Sequence, residues 1–182
     1  MKKTHYHLSQ INIAHMIAPI DDPRLANFVA QLDTVNQLAD NSSGFVWRLQ
    51  TDGGNSTGIR IEADASILVN MSVWASIETL YEFSYKTTHV GLLRDRERWF
   101  EKSDIPALAL WWVSAGTVPS VDEGIQLREH LRQHGPSDHA FTFKKRHPVP
   151  SYSRERGLRR LVSVPIHGTS TNFPNTFPAT RS

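Results

Sequence analysis

Two short segments of this chain are apolar at almost every position. They are Ile67–Trp74, with the sequence ILVNMSVW, and Ala107–Val113, with the sequence ALALWWV. Because successive side chains of a β-strand point to opposite faces of a sheet, strands of this kind are apolar on both faces. Such strands are typical of a sheet that is covered on both sides. The sequence therefore predicts a central sheet with something packed on each face.

Hydrophobic periodicity divides the chain into elements in the order β-α-β-β-α-β, followed by one further helix. The remaining predicted elements are strands at Tyr6–Ala14 and Phe45–Gln50, helices at residues 22–40, Ser76–Phe100 and residues 119–134, and a short edge strand at Phe141–Phe143. This order predicts an α+β protein with the ferredoxin-like split βαβ fold. In that fold the four-stranded sheet is antiparallel, and the first two helices lie on one of its faces.

Two helices on one face leave the other face of the predicted sheet without a cover. A large exposed apolar surface is unusual for a monomer and typical of an interface. The sequence therefore predicts a homodimer in which two copies pack sheet against sheet. The alternative is a monomer whose C-terminal segment lies over the open face.

The charge of the chain is divided between two regions. Residues 144–182 carry eight Lys/Arg and one Glu, a net charge of +7, whereas residues 1–143 carry twelve basic and seventeen acidic residues, a net charge of −5. The C-terminal region also contains five of the ten prolines and many Ser and Thr. This composition predicts a domain over residues 1–143 and a disordered basic tail over residues 144–182. Nucleic-acid binding by the tail is a weaker alternative.

Several classes of protein are excluded by what the sequence lacks. It contains no cysteine, which excludes disulfides, thiolate catalysis and iron–sulfur clusters. The N-terminal sequence MKKTHYHLSQ has no continuous apolar stretch of the kind found in signal peptides. No run of 18 apolar residues is present, so no membrane span is predicted. We therefore expect a soluble cytoplasmic protein.

The candidate catalytic residues are His89, Tyr85 and Asn70. His89 lies in the middle of the predicted helix Ser76–Phe100, and Tyr85 precedes it by one helical turn. Asn70 is a polar residue within the most apolar strand. A histidine facing a pocket between helix and sheet would suit proton transfer or haem ligation. The alternative is a structural histidine that hydrogen-bonds to Tyr85 or Asn70.

The candidate substrate-binding residues are three tryptophans and one arginine: Trp47, Trp74, Trp112 and Arg98. Aromatic side chains line apolar ligand pockets, and a guanidinium can anchor a substrate carboxylate. The alternative readings are core or interface packing for the tryptophans and solvated ion pairs for the arginines.

Two histidine pairs have spacings that occur in metal sites. His5 and His7 alternate on one strand, and His130 and His134 are one helical turn apart. No carboxylate or third histidine is placed in sequence to complete either set, so we expect surface residues and no dedicated metal site.

Four motifs resemble a bacterial family described only as a domain of unknown function. They are GFVWR, NMSVW, LWW-x-x-x-G, and His89 followed by Arg98-Trp99-Phe100, and the resemblance extends from about Leu8 to Phe143. The family is placed in the dimeric α+β barrel superfamily. The resemblance therefore implies the ferredoxin-like fold and the homodimer, and it implies no particular activity.

His89 and the pair Trp99-Phe100 are also distantly similar to the spheroidene monooxygenase-like branch of that superfamily. This second resemblance implies haem as a cofactor, with His89 as its ligand. It suggests a small monooxygenase-like enzyme acting on an apolar metabolite in a helix–sheet pocket around His89. The alternatives are a non-catalytic binder of a small hydrophobic ligand and, less favoured, a nucleic-acid adaptor that acts through the basic tail.

Overall fold

Four strands pair into one antiparallel sheet in the order β2-β3-β1-β4. The computed structural model describes residues 5–59, 61, 64–86, 94–103 and 105–150. Its strands are β1 Tyr6–His15, β2 Phe45–Arg48, β3 Ile67–Trp74 and β4 Leu108–Ser114, and its helices are α1 Ala26–Asp40, α2 Ile77–Lys86 and α3 Val121–His134. The predicted α+β fold with ferredoxin-like strand order is confirmed.

Local sequence signals set where the helices begin. The side chain of Asp22 accepts a hydrogen bond from the backbone N–H of Arg24 and caps a 3-10 turn, Pro23–Leu25, that leads into α1. The Ser120 side chain caps α3 by accepting from the backbone N–H of Glu123 at 3.1 Å. These side chains satisfy backbone donors that the first turn of a helix leaves free.

One face of the sheet packs against α1 and α2. Leu8, Trp74 and Leu110 project from three different strands into a buried cluster that also contains Ala39 of α1 and Leu80 of α2. Both predicted helices therefore lie on the same side, as the ferredoxin-like arrangement requires.

The other face of the sheet is covered within the same chain. Ile11, Val69 and Trp111 of three strands pack in one cluster with α3 and with Leu49, Ile59 and Ile61, and Val69 is completely buried. The expectation that this face is bare in a single chain is therefore wrong. Local sequence places a helix at residues 121–134, but it does not tell which side of the sheet that helix will cover.

Helix α3 approaches the sheet closely at Gly124. A Cβ atom at this position would lie 2.7 Å from Cδ1 of Ile11 and 3.3 Å from Cη2 of Trp111. Next to it, the carboxylate of Glu123 accepts a hydrogen bond from the indole N–H of Trp111 at 3.2 Å. Burial raises the pKa of Glu123, and hydrogen bonds from Trp111 and from the backbone of Ser120 oppose that shift.

Two predicted elements differ from the structure. The helix predicted to run unbroken to Phe100 does not do so, because Arg96–Arg98 form a 3-10 turn and Phe100 pairs with Met16 in a β-bridge. In β2 a bulge follows Phe45, so that Phe45 packs on the α1/α2 side and Trp47 on the α3 side. Simple alternation along the predicted strand Phe45–Gln50 would place these two residues on one face, and the bulge separates them.

The segment around the predicted domain boundary contacts the rest of the domain. Phe141 forms a β-bridge with Leu110 where an edge strand was predicted. Beyond it, the carbonyl of His147 accepts a hydrogen bond from the indole N–H of Trp112 at 3.1 Å. His147 of the predicted tail thus contacts β4, and residues 151–182 are outside the described residues.

Among the described residues, no helix has both the length and the apolar character needed to cross a membrane.

The close contact at Gly124 can be tested with a double-mutant cycle. In an unhindered helix, Gly→Ala raises the free energy of unfolding by about 0.5–1 kcal/mol. We expect Gly124→Ala to give no such gain, because its methyl group would meet Cδ1 of Ile11. In an Ile11→Val background, which lacks Cδ1, the same change should stabilise the protein relative to Ile11→Val alone. Urea unfolding of the four proteins measures this, and an equal effect of Gly124→Ala in both backgrounds would contradict the packing.

Candidate ligand-binding pocket

A cavity of about 280 Å³ lies between the sheet and the helices α1 and α2. Its walls are mainly apolar and include Phe28 and Leu32 of α1, Leu80 and Phe83 of α2, and Leu108 of β4. Small-molecule sites in proteins are commonly cavities of this kind, with apolar walls and a few polar groups.

The floor of this cavity is polar, although it lies on the two central strands. Gln10 and Asn12 of β1 and Asn70 and Ser72 of β3 all line the cavity, and we call these four residues the polar floor. The register explains their proximity, because Gln10 is paired with Ser72 and Asn12 with Asn70. Directly paired residues on neighbouring strands point to the same face of the sheet, and so do residues two positions apart on one strand.

Hydrogen bonds connect three members of the polar floor. The Nε2 atom of Gln10 donates to Oδ1 of Asn70 at 2.6 Å and to Oγ of Ser72 at 2.9 Å. Ser72 also accepts a hydrogen bond from the indole N–H of Trp74 at 2.9 Å. This network fixes the side chain of Gln10, which is only 5% exposed.

Other polar atoms of the floor have no partner within the described part of the chain. Oδ1 of Asn12 is buried and accepts no hydrogen bond there. Asn70 is exposed although its strand neighbours Val69 and Met71 are buried. An exposed side chain at the centre of a sheet means that α1 and α2 leave this part of the face uncovered.

Aromatic rings stand at the edge of the cavity. Tyr85 of α2 and Phe143 both line it, and their ring centroids are 5.6 Å apart. Tyr81 packs against both rings, at 4.8 Å from Tyr85 and 5.6 Å from Phe143. The guanidinium of Arg146 lies 5.5 Å from the centre of the Tyr81 ring, a cation–π contact. These contacts join α2 to the segment that follows α3.

Two arginines line the cavity, and they differ in what they already bind. Arg48 already has partners within the protein, because its guanidinium donates to the carboxylate of Asp40 and to the carbonyl of Gly54. Arg96 is exposed and has no ion pair in the described ranges. Arg98, the predicted carboxylate anchor, is exposed in the same 3-10 turn and is not among the described lining residues.

The predicted catalytic residues Asn70 and Tyr85 both line this cavity. His89 lies outside the described residues, so the structure does not test its predicted place between them. Sequence reasoning did not single out Gln10 and Asn12 as site residues. The available signal was the alternation of polar side chains at positions 10 and 12 of β1, opposite the same alternation at positions 70 and 72 of β3.

None of the three predicted tryptophans is among the described lining residues. Trp74 lies on the same face but is fully buried, stacked on Phe83 at 5.0 Å. Trp112 packs against Phe141, and Trp47 packs into the core on the opposite face of the sheet. The three rings therefore pack against other side chains of the protein, as in the alternative interpretation of these tryptophans.

The histidine pair on α3 belongs to a larger cluster. The ring of His130 lies 4.6 Å from that of His134 and 5.3 Å from that of His139, measured between centroids. Burial, followed by the nearby His134 and His139, lowers the pKa of His130. On β1, burial and then His5 lower the pKa of His7. In the part of the chain that the structure describes, no three His, Asp or Glu side chains are placed to hold a metal ion.

Comparison with known proteins assigns a family. A profile with the description "Domain of unknown function (DUF3291)" matches residues 7–157, which is most of the chain. The chain belongs to this family. The match covers every strand and helix of the fold except the first residue of β1, together with all of the residues of the polar floor.

Other comparisons add little to the DUF3291 assignment. No curated protein matches the chain. Among solved structures, the NE2512 protein of unknown function from Nitrosomonas europaea is 14% identical, over 65% of this chain and 99% of its own. Its TM-score of 0.39 is too low to support a conclusion about fold or function.

The histidine cluster predicts a pH dependence of stability. Because the folded state lowers the pKa of His130 below its ordinary value of 6.5, the unfolded chain takes up this proton at a higher pH than the folded chain does. The free energy of unfolding therefore carries no penalty from His130 at a pH above 6.5. It decreases as the pH falls below that value, because the unfolded chain is protonated first. His130→Gln should therefore lose less free energy of unfolding than the unmodified protein between neutral and mildly acidic pH. Urea unfolding measures both losses, and equal losses would contradict the prediction.

Proposed function

We propose that this protein binds a small, mostly apolar molecule in the cavity between the sheet and helices α1 and α2. One observation carries the proposal: a cavity of about 280 Å³ opens onto a floor of amide side chains at the centre of the sheet. Protein interiors are close-packed and contain few voids larger than a water molecule. A cavity of this size with a polar floor therefore favours a ligand over a packing defect.

The chemistry of the described lining favours binding over acid–base catalysis. The lining residues in the described ranges include no Asp, Glu or His. Their polar groups are amides, hydroxyls and the guanidinium groups of Arg48 and Arg96. Such groups orient a ligand by hydrogen bonds, whereas general acid–base catalysis uses a side chain that exchanges a proton near neutral pH. A non-catalytic binder of a small ligand is therefore the function that we put first.

A pair of tryptophan substitutions on one helix tests this function. Val35 of α1 lines the cavity, whereas Val29 of the same helix is 40% exposed and is not among the described lining residues. Val35→Trp should fill part of the cavity and weaken binding of the neutral fluorescent probe N-phenyl-1-naphthylamine by at least about tenfold, because lost apolar contact is not replaced. Val29→Trp is the control and should bind the probe as the unmodified protein does.

Fluorescence titration measures both affinities, and a thermal scan checks that both variants fold. Equal binding by the two folded variants would place the probe elsewhere. No binding by the unmodified protein would remove the main support for a ligand-binding role.

A monooxygenase-like role around His89 is the catalytic proposal, and it has a separate test. If His89 ligates haem, the purified protein supplied with haem during expression has a Soret band, and His89→Ala loses it. His15→Ala, which replaces an exposed histidine at the end of β1, is the control and should keep the band. An unmodified protein without a Soret band, after expression with haem, would contradict the haem role and leave the binding proposal standing.

The homodimer and the nucleic-acid role of residues 144–182 stay predictions. Because α3 covers the second face of the sheet, the argument from an uncovered face no longer supports a sheet-to-sheet dimer. The basic tail beyond residue 150 lies outside the described residues.

A further inference from the structure

We propose that the ligand of this pocket carries an amide-type edge, an N–H donor next to a C=O acceptor, and that this edge binds to Gln10 and Asn70. A primary carboxamide and a lactam are ligands of this class. The inference rests on the binding function proposed above and specifies the chemistry of the ligand.

The hydrogen bonds of Gln10 leave one acceptor and one donor free on the polar floor. Both hydrogens of Nε2 are used, one for Asn70 and one for Ser72. Within the described residues, no group donates to Oε1 of Gln10, and Nδ2 of Asn70 donates to no acceptor. Gln10 is 5% exposed, and its carbonyl oxygen is not among the buried side-chain atoms that lack a partner, so this oxygen is accessible from the cavity. A ligand that donates to it gains a hydrogen bond beside mostly apolar walls.

This pattern does not depend on which way the two amides are turned. Rotating both side-chain amides by 180° keeps the hydrogen bond between Gln10 and Asn70 with donor and acceptor exchanged. The free atoms are then Nε2 of Gln10, with both of its hydrogens, and Oδ1 of Asn70. In either orientation the floor therefore presents one donor and one acceptor to the cavity.

Ligand classes differ in how well they match that pair. A carboxylate has acceptors only, so it pairs with the free donor and leaves the acceptor unmatched. A hydrocarbon leaves both unmatched. A carboxamide matches both. The apolar walls, which include Phe28 and Phe83, then contact the rest of the molecule.

Three probes with one aromatic body test the inference: 2-naphthamide, 2-naphthoate and 2-methylnaphthalene. Each is titrated into the full chain labelled with ¹⁵N, with Kd taken from amide shifts. We expect 2-naphthamide to bind at least about tenfold more tightly than either of the others, because each neutral hydrogen bond contributes and each unmatched buried group costs. Titrations at high salt screen the attraction of Arg96 for 2-naphthoate.

Two leucine substitutions show whether the floor is responsible. Asn70→Leu should reduce the preference for 2-naphthamide to about twofold or less, because it removes both hydrogen-bonding atoms of that amide. Asn36→Leu is the matched control, since Asn36 lines the cavity from α1 and is not part of the polar floor. It should keep the full preference.

The possible outcomes separate this inference from the binding function. Equal affinities for the three probes, or tighter binding of 2-naphthoate at high salt, would overturn the amide-edge inference and leave the pocket a binding site. An unchanged preference in Asn70→Leu would also overturn it. A third outcome is that none of the three naphthalene probes binds, while N-phenyl-1-naphthylamine binds and Val35→Trp weakens its binding. In that case the amide-edge inference is overturned and the proposed binding function stands. If N-phenyl-1-naphthylamine does not bind either, both the amide-edge inference and the proposed binding function are overturned.

Discussion

The sheet of this protein carries apolar side chains on both of its faces, and this forces the chain to cover the sheet from two sides. The two sides are covered differently. Helix α3 seals one face closely enough that Gly124 has no room for a side chain next to Ile11. On the other face, α1 and α2 meet the sheet around Leu8 and Trp74 but leave the polar floor open. The cavity exists because the cover on one face is complete and the cover on the other is partial.

The composition of the two central strands decides where that gap lies. Apolar side chains in β1 and β3 attract a helix, whereas Asn12 and Asn70 lie opposite each other and would be costly to bury beneath apolar helix residues. Gln10 and Ser72 lie next to them and neutralise part of this cost by hydrogen bonding. The polar pair Asn12 and Asn70 thus lines the cavity, while Leu8 and Trp74 on the same face are buried under the helices.

The sequence predicted what depends on local pattern and missed what depends on distant contacts. Alternation located β1 and β2, apolar runs located β3 and β4, and Asn70 stood out because it interrupts one of those runs. Gln10 was missed because only the pairing of β1 with β3, some 60 residues apart, brings it beside Asn70. Trp47 was misplaced because a bulge, invisible in the periodicity, turns it to the other face. Arg98 was predicted as the carboxylate anchor, whereas Arg96 of the same 3-10 turn is the one among the described lining residues.

The position of α3 at the end of the fold has a consequence for synthesis on the ribosome. The strands that form the sheet are complete once Ser114 has emerged, but the helix that covers one side of it follows only with residues 121–134. Until then, a nascent chain carries an apolar surface lined by Val69 and Trp111. Exposed surfaces of this kind attract chaperones and promote aggregation. Stable folding is therefore expected only after α3 has left the exit tunnel.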